Sequence, residues 1–164
     1  ERGRWALIGE APGAEEDQQG EAFVGMAGQL LDQMLASMGW HRSTDLFIAN
    51  VVKCRPPGNR NPSAAECAAC ASYLHAQLKL LNPRAVLILG RIAAQQLLGL
   101  QASIAALRGK PQQLTIGDGH AAMVVPALVS YHPAYLLRNP EEKAKAWEDL
   151  NQFAQLLNAA SPVA

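Results

Sequence analysis

Net charge is missing from this sequence, which balances 14 basic residues against 14 acidic ones over a length of 164. A neutral molecule has no overall field that would attract a polyanion, so any contact with nucleic acid has to be made by local groups. The sequence also has no apolar run long enough to cross a bilayer, and its first residues resemble neither a signal peptide nor a transit peptide. These absences argue against a membrane protein and predict a soluble, cytoplasmic one.

Cysteine is scarce as well, and the three cysteines, Cys54, Cys67 and Cys70, lie in one short segment. An odd number fits a reducing compartment and gives no disulfide framework. The spacing C-x12-C-x2-C offers three thiols, whereas a tetrahedral zinc site or an iron–sulfur cluster commonly takes four ligands. A metal site and thiols that only pack in the core both remain open from the spacing alone.

Two apolar patterns alternate along the chain. With 49% hydrophobic and 17% charged residues, it is expected to fold as one domain over residues 1–164. Four short runs rich in Val, Ile and Leu predict buried strands at residues 5–9, 46–52, 85–89 and 123–131. Apolar residues at three- and four-residue spacing predict helices at 27–38, 63–81, 91–98 and 141–157.

The order of these elements predicts the fold class. Alternating strands and helices indicate parallel strands joined by right-handed helical crossovers. We therefore expect an α/β fold, a three-layer sandwich with a central four-stranded parallel sheet flanked by helices. Residues 112–116 are a candidate fifth, weaker strand, with a turn after it. Ser63 and Glu66 have the spacing of a capping box and predict a helix start.

Polar residues stand at the carboxyl ends of the four predicted strands, where ligands bind in an open parallel sheet. Glu10 follows the first strand in GEAPG, Asn50 ends the second, Gly90 and Arg91 follow the third, and His132 follows the fourth in SYHPAY. The sequence therefore predicts a site at this edge before any motif is identified.

Each of these residues also has an ordinary structural explanation. GEAPG could be a simple turn, Asn50 could cap its own strand end, and Phe23 could be a core ring beside a helix start. His132 could be a core histidine. However, the proline that follows restricts its backbone to extended conformations, which holds the imidazole rigidly and favours a functional role.

Four motifs extend the pattern over nearly the whole chain: GEAPG-x2-ED-x2-G-x2-FVG-x-AG-x-LL, NVVKCRPPGNRNP, LILGRIAAQQLLG and YHPAYLLRNP-x2-K-x3-W-x-DL. Taken together, and in this order, they resemble the family 4 uracil-DNA glycosylases, bacterial and archaeal enzymes with an iron–sulfur cluster. The resemblance implies a uracil-DNA glycosylase-like fold and an enzyme that flips uracil out of DNA and hydrolyses its N-glycosidic bond, leaving an abasic site for base excision repair.

The resemblance also implies a pocket for the extruded base. Gly13 would line this pocket, Phe23 would provide the ring on which uracil stacks, and the amide of Asn50 would recognise the edge of the base. A hydrogen-bonding pattern that fits uracil leaves buried groups unpaired against cytosine. Cytosine should therefore be rejected strongly.

For catalysis, the resemblance implies that His132 steadies the leaving base. Glu10 corresponds to the carboxylate of the first motif, and Glu16 is a second acidic pocket residue. In the wider superfamily an aspartate of the first motif often positions the attacking water, and here Ala11 stands at that position. Glu10 and Glu16 thus both remain candidates for that task.

The implied substrate is uracil-containing DNA, single- or double-stranded, bound by a monomer without a membrane partner. Five arginines in loops or helix starts near the predicted edge could contact phosphates, although several of them could merely be solvated: Arg55, Arg60, Arg91, Arg108 and Arg138. Because the overall charge is zero, we expect modest nonspecific affinity and a shallow salt dependence.

In the family, four cysteines hold a [4Fe–4S] cluster, and two of them correspond to Cys54 and Cys70. The other two, expected near the N-terminus, are absent from this sequence. We expect that pair to precede residue 1, with Cys67 as an extra thiol. Alternatively, the protein lacks the cluster.

Two other interpretations compete with an active glycosylase. One is a catalytically weak or inactive member of the same superfamily that binds DNA and senses damage, which the incomplete cysteine set makes reasonable. The other is a nucleotide-binding α/β protein. It is weaker because GEAPG lacks the G-x-G-x-x-G spacing and no acidic residue ends the second strand.

Overall fold

The computed structural model describes residues 4–11, 18–20, 23–52, 57–59 and 63–160. Within these ranges there are five strands: β1 Trp5–Gly9, β2 Leu46–Asn50, β3 Val86–Leu89, β4 Gln112–Ile116 and β5 Met123–Ser130. The α-helices in the same ranges are α1 Met26–Ser37, α2 Ala64–Leu81, α3 Arg91–Leu98, α4 Ile104–Leu107, α5 Pro133–Arg138 and α6 Lys143–Ala159. None of the helices described is long and apolar enough to cross a membrane.

The strands form one sheet in the order β2-β1-β3-β5-β4. The pairs β1–β2, β1–β3 and β3–β5 are parallel, as the alternation predicted. The sheet has five strands rather than four, because residues 112–116 do form a strand, and this edge strand runs antiparallel to β5. A turn of only six residues separates β4 from β5, which is too short for the crossover that a parallel pair needs.

Successive side chains of the central strands point to opposite faces of the sheet, and each face has its own helices. Ala6 and Ile8 of β1 belong to a core that includes residues of α2 and α3. Trp5 and Leu7 belong to a second core that includes residues of α1 and α6. This alternation is the reason for the three-layer architecture, since a strand buried on both faces needs a helix layer on each side.

The predicted helix punctuation is confirmed at α2. Ser63 accepts a hydrogen bond from the backbone N–H of Glu66 while the Glu66 carboxylate accepts one from the backbone of Ser63, which completes the capping box. The last helix begins later than predicted, because Pro140 opens a short 3-10 turn that leads into α6. The short helices α4 and α5 were not predicted.

Candidate active site

The carboxyl ends of β1, β2, β3 and β5 meet at one edge of the sheet. Gly9 pairs with Asn50 and Leu89 pairs with Ser130, so the residues that follow these strands lie side by side. A cavity of about 390 Å³ opens there, lined by Glu10, Gly90, Arg91, Ile92, Ile104, Ala105, Tyr131, His132, Tyr135 and Arg138. Four of the predicted site residues thus line one cavity: Glu10, Arg91, His132 and Arg138.

Phe23 and Asn50 do not line this cavity but adjoin it. The Phe23 ring stacks on the His132 ring, with centroids 5.4 Å apart and planes 28° apart. Both Phe23 and Asn50 also pack against Gly9, where a Cβ atom would lie 2.4 Å from Phe23 Cζ and 2.7 Å from Asn50 Oδ1. The four side chains expected to form the pocket therefore lie next to one another, and Gly9, which the sequence reasoning missed, is the point that two of them share.

The side chain of Asn50 is buried without a hydrogen bond to any described residue. It is 7% exposed, at the end of β2. A buried amide normally has a partner, because leaving its donor and acceptor unpaired costs free energy. Asn50 therefore does not cap its own strand, and its amide is available to a ligand.

His132 is the N-cap residue of α5. Its Nδ1 accepts a hydrogen bond of 3.1 Å from the backbone N–H of Ala134, so the neutral ring carries its proton on Nε2. Burial, with a smaller contribution from the positive charge of Arg138, lowers the pKa of His132 to about 4. At neutral pH the imidazole is therefore an uncharged donor held in one tautomer.

Glu10 is partly buried and faces the cavity. Burial raises the pKa of this carboxyl above its ordinary value, and the positive charge of Arg91 works in the opposite direction. Within the described ranges, no group hydrogen-bonds to the Glu10 carboxylate, whereas its backbone carbonyl accepts a hydrogen bond of 3.0 Å from the N–H of Val52. The site thus combines the Glu10 carboxylate, the Asn50 amide and the Nε2–H of a neutral imidazole whose Nδ1 is already occupied by Ala134.

These two titrations predict the pH dependence of a reaction that needs Glu10 as a carboxylate. The ionised fraction falls as pH falls through the raised pKa of Glu10, so kcat/KM should fall toward acid with a limb above the ordinary value of 4.5. His132 should add no limb between about pH 5 and pH 8, because its imidazole is already neutral there.

A pH–rate profile of the native protein and of Glu10→Gln tests this expectation. The acid limb should disappear in Glu10→Gln, which retains a lower, flat rate. An inflection near neutral pH that survives in Glu10→Gln and disappears in His132→Ala would contradict the assignment.

Phe23 has a backbone conformation that is unusual for an aromatic residue, with a φ of 55°. Its carbonyl oxygen accepts a hydrogen bond from the guanidinium of Arg42, which also pairs with Asp32 at 2.9 Å. The same carbonyl packs so closely on Gly28 that a Cβ atom there would lie 1.9 Å from the oxygen. These contacts hold the strained conformation, and strain that the surroundings maintain is frequent at functional sites.

Arg108 lies near the cavity, with its guanidinium 5.9 Å from the centroid of the Tyr131 ring. Its guanidinium forms ion pairs with Asp149 and Glu148 and donates to the carbonyl of Lys145, all in α6. These partners hold the guanidinium against α6, and its contact with phosphate stays a prediction. The remaining predicted residues, Gly13, Glu16, Cys54, Arg55 and Arg60, lie outside the described residues.

The two described cysteines lie on α2. Cys67 is buried in the core, and burial, followed by the negative charge of Glu10, raises the pKa of its thiol. Cys67 is 3% exposed and packs in the core beside β1 and β3, and its place as an extra thiol stays a prediction. Cys70 is partly buried one turn later. Among the described residues, no group of three or more His, Cys, Asp or Glu side chains could hold a metal ion. With three cysteines in all, this sequence does not complete a four-cysteine cluster site.

The fold and the position of the cavity define an α/β protein whose active site is formed by the loops at the carboxyl ends of its parallel strands. A family model described as the uracil DNA glycosylase superfamily matches residues 1–151.

Relatives named type-4 uracil-DNA glycosylase align over most of the chain. One from Pyrobaculum aerophilum is 43% identical over 90% of this chain and 74% of its own length. One from Archaeoglobus fulgidus is 37% identical over 99% of this chain and 81% of its own. One from Thermotoga maritima is 44% identical over 83% of this chain and 67% of its own. The chain therefore belongs to the type-4 family within the uracil DNA glycosylase superfamily.

Proposed function

We propose that this protein is a DNA-repair glycosylase that flips uracil out of DNA and hydrolyses the bond between the base and its sugar. One observation carries the proposal: the amide of Asn50, the imidazole Nε2–H of His132 and the carboxylate of Glu10 adjoin one cavity edge, and no described residue pairs with them. The amide suits the edge of a base, the imidazole donor suits a departing base, and the carboxylate suits a cationic sugar. The chain is a hydrolase of N-glycosyl bonds.

Phe23 is proposed as the ring on which the extruded base stacks. An enzyme that cleaves this bond cannot reach it inside a duplex, and flipping the nucleotide costs a few kcal/mol. Stacking a base on an aromatic ring recovers roughly 1–3 kcal/mol of that cost. The fixed backbone of Phe23 supports this role, because a ring that is already held in place loses little freedom when a base binds.

Asn50 is proposed to distinguish uracil from cytosine. Its amide can donate to uracil O4 and accept from N3–H, whereas cytosine presents an amino group and an unprotonated N3. Since Asn50 is 7% exposed, a mismatched base at its amide would leave polar groups unpaired inside the pocket. Sites that depend on such hydrogen bonds reject the wrong ligand strongly.

His132 and Glu10 are proposed to meet the two charges that develop as the bond breaks. Negative charge collects on the departing uracil, largely at O2, and a preorganised donor such as the Nε2–H of His132 is worth about 3 kcal/mol in other enzymes. The sugar becomes oxocarbenium-like, and the carboxylate of Glu10 stabilises this cation and orients the water. Glu16 remains a second candidate for the water.

DNA would approach along the arginines that flank the cavity. Arg91 and Arg138 are exposed and line the cavity, which supports them as proposed phosphate contacts. Arg55 and Arg60 remain proposed contacts outside the described residues. A small number of phosphate contacts implies a shallow salt dependence of binding.

Cys54 and Cys70 are the two thiols proposed to ligate a [4Fe–4S] cluster. Such a cluster would be structural, and no step of the reaction above depends on it. Visible absorbance and iron content of the purified protein decide whether it is bound.

A strand-cleavage assay tests the function. The protein is incubated with single- and double-stranded oligonucleotides that contain one uracil, and abasic sites are then cleaved with alkali. We expect strand breaks at the uracil, more readily opposite guanine because a mispaired base costs less to flip. Matched oligonucleotides with cytosine or thymine at that position serve as controls. Binding without breaks would contradict the proposal and favour a damage sensor, and neither binding nor breaks would leave the nucleotide-binding alternative.

A further inference from the structure

Among the described residues, three polar or charged side chains are buried: Asn50, Ser130 and Asp149. Asn50 belongs to the pocket. The other two bind each other, since the hydroxyl of Ser130 donates a 2.6 Å hydrogen bond to Asp149 Oδ2. Ser130 is 2% exposed at the end of β5, and Asp149 is 1% exposed on α6. This contact therefore joins the last helix to the strand from which His132 emerges.

A cation holds Asp149 in place. Arg108 Nη2 lies 3.1 Å from Asp149 Oδ1, and Arg108 Nε donates to Oδ2 at 3.3 Å. Removing two charges from water costs about as much as their attraction returns, so a buried ion pair is a weak argument for stability. Its effect here is on position: Arg108 holds the Asp149 carboxylate at the point where it accepts the hydrogen bond from Ser130.

The backbone around Asp149 is built to admit this carboxylate. The N–H of Gly109 donates to the carbonyl of Val129 at 3.0 Å, which lays residues 108–109 beside the end of β5. A Cβ atom on Gly109 would lie 2.8 Å from Asp149 Oδ1. The carboxylate thus fills the space that a side chain at position 109 would take.

Ser130 is also bound from the opposite direction. Its carbonyl accepts a 3.0 Å hydrogen bond from the N–H of Gly90, which begins the turn after β3. Gly90 also packs against His132: a Cβ atom on Gly90 would lie 3.2 Å from His132 Cβ. Ser130 therefore contacts both α6 and the turn after β3 that packs against His132.

We propose that Asp149 and Ser130 are positioning residues for His132: the carboxylate in α6 fixes the end of β5 and thereby the direction in which the imidazole Nε2–H points. Neither residue lines the cavity, so both act through His132. The proposal rests on the proposed function only for its kinetic test, and a second measurement does not require turnover.

The kinetic test is a double-mutant cycle. Ser130→Ala removes one hydroxyl and leaves the pair of Asp149 and Arg108 intact. We expect it to lower kcat about 10-fold with KM within about twofold, because misplacing a catalytic group by a fraction of an ångström costs that much. In a His132→Ala background the same change should alter kcat by less than about twofold. Asp149→Asn should behave in the same way, with a larger loss. Ser72→Ala, an exposed serine of α2, is the matched control and should retain native kcat.

Imidazole ¹⁵N chemical shifts of histidine-labelled protein provide the second measurement. The chain has four histidines, and His132→Ala assigns the signal of interest. Native His132 should show a neutral ring with the proton on Nε2. Ser130→Ala should shift or broaden this signal, whereas Ser72→Ala should not.

The two measurements separate the possible failures. Unchanged kcat and unchanged His132 shifts in folded Ser130→Ala would overturn the positioning proposal, as would equal losses with and without His132. If the native protein has no activity on uracil-containing DNA but the His132 signal responds to Ser130→Ala, the proposed function fails and the positioning stands. If Asp149→Asn does not fold, Ser130→Ala decides alone.

Discussion

Replacing Asn50 with alanine is expected to lower kcat/KM on uracil-containing DNA by about 100-fold or more, the loss found when a preorganised donor is removed from an active site. The reason is that the amide forms no hydrogen bond with described residues, while Asn50 as a whole is 7% exposed, so we expect the amide to bind the base. For the same reason thermal stability should change little. Single-turnover cleavage with excess enzyme measures the effect, since it isolates the chemical step from product release.

Asn151→Ala provides a matched control for this variant, because Asn151 is an exposed asparagine whose amide bonds only the carbonyl one helical turn before it. It should cleave at the native rate. A native rate in Asn50→Ala, or a loss of activity that merely follows a loss of folded protein, would show that the amide serves the fold and not the base.

Replacing Gly9 with alanine should cause a loss of similar size by a different route. The new Cβ atom would lie 2.4 Å from Phe23 Cζ and 2.7 Å from Asn50 Oδ1, closer than such atoms approach in proteins, so the ring or the amide has to move. Gly9 is not among the glycines with positive φ, so its backbone accepts alanine and the effect is purely steric. We expect about 100-fold lower kcat/KM and a destabilisation of about 1–3 kcal/mol from overpacking.

Thermal unfolding of Gly9→Ala and of the double variant Gly9→Ala/Phe23→Ala checks this cause. Removing the ring vacates the space that the new methyl group enters, so the double variant should be destabilised less by the alanine than the native background is. Equal destabilisation in both backgrounds would place the clash somewhere other than Phe23, and an unimpaired rate in the single variant would refute the steric account.

Most of the fold could be predicted from the spacing of apolar residues, because buried parallel strands give short apolar runs and amphipathic helices give apolar residues at three- and four-residue spacing. The first strand was predicted with its observed bounds, and the edge where Glu10, Asn50 and His132 meet followed from strand direction alone. The direction of β4 does not follow from its own residues, but the six residues between it and β5 are too few for a parallel crossover and would have predicted an antiparallel pair. The helices α4 and α5 are too short to show a period, with four and six residues.

Some roles could not be predicted because they depend on contacts between segments that are far apart in the sequence. The contact between Arg108 and Asp149 could not be predicted, because an arginine in a loop has the same sequence whether or not it faces a carboxylate 41 residues later in the chain. Asp149 did leave a signal. It shares the buried face of α6 with Ala146, Leu150 and Phe153, and a carboxylate at an apolar position of a helix indicates a buried partner. Gly9 left none, since only coordinates show which side chains converge on it.

The lone pair on Nδ1 of His132 accepts a hydrogen bond and is also the site of protonation, so the start of α5 is coupled to the charge of the ring. The pair that accepts the amide of Ala134 starts a helix of six residues, and it is also the only place where a second proton could bind the ring. An imidazolium would therefore expel the first amide of α5 as it formed. Protonation of His132 at low pH would therefore remove the hydrogen bond that starts α5 and the neutral donor in one event. For the same reason, the hydrogen bond from Ala134 favours the neutral form of the ring.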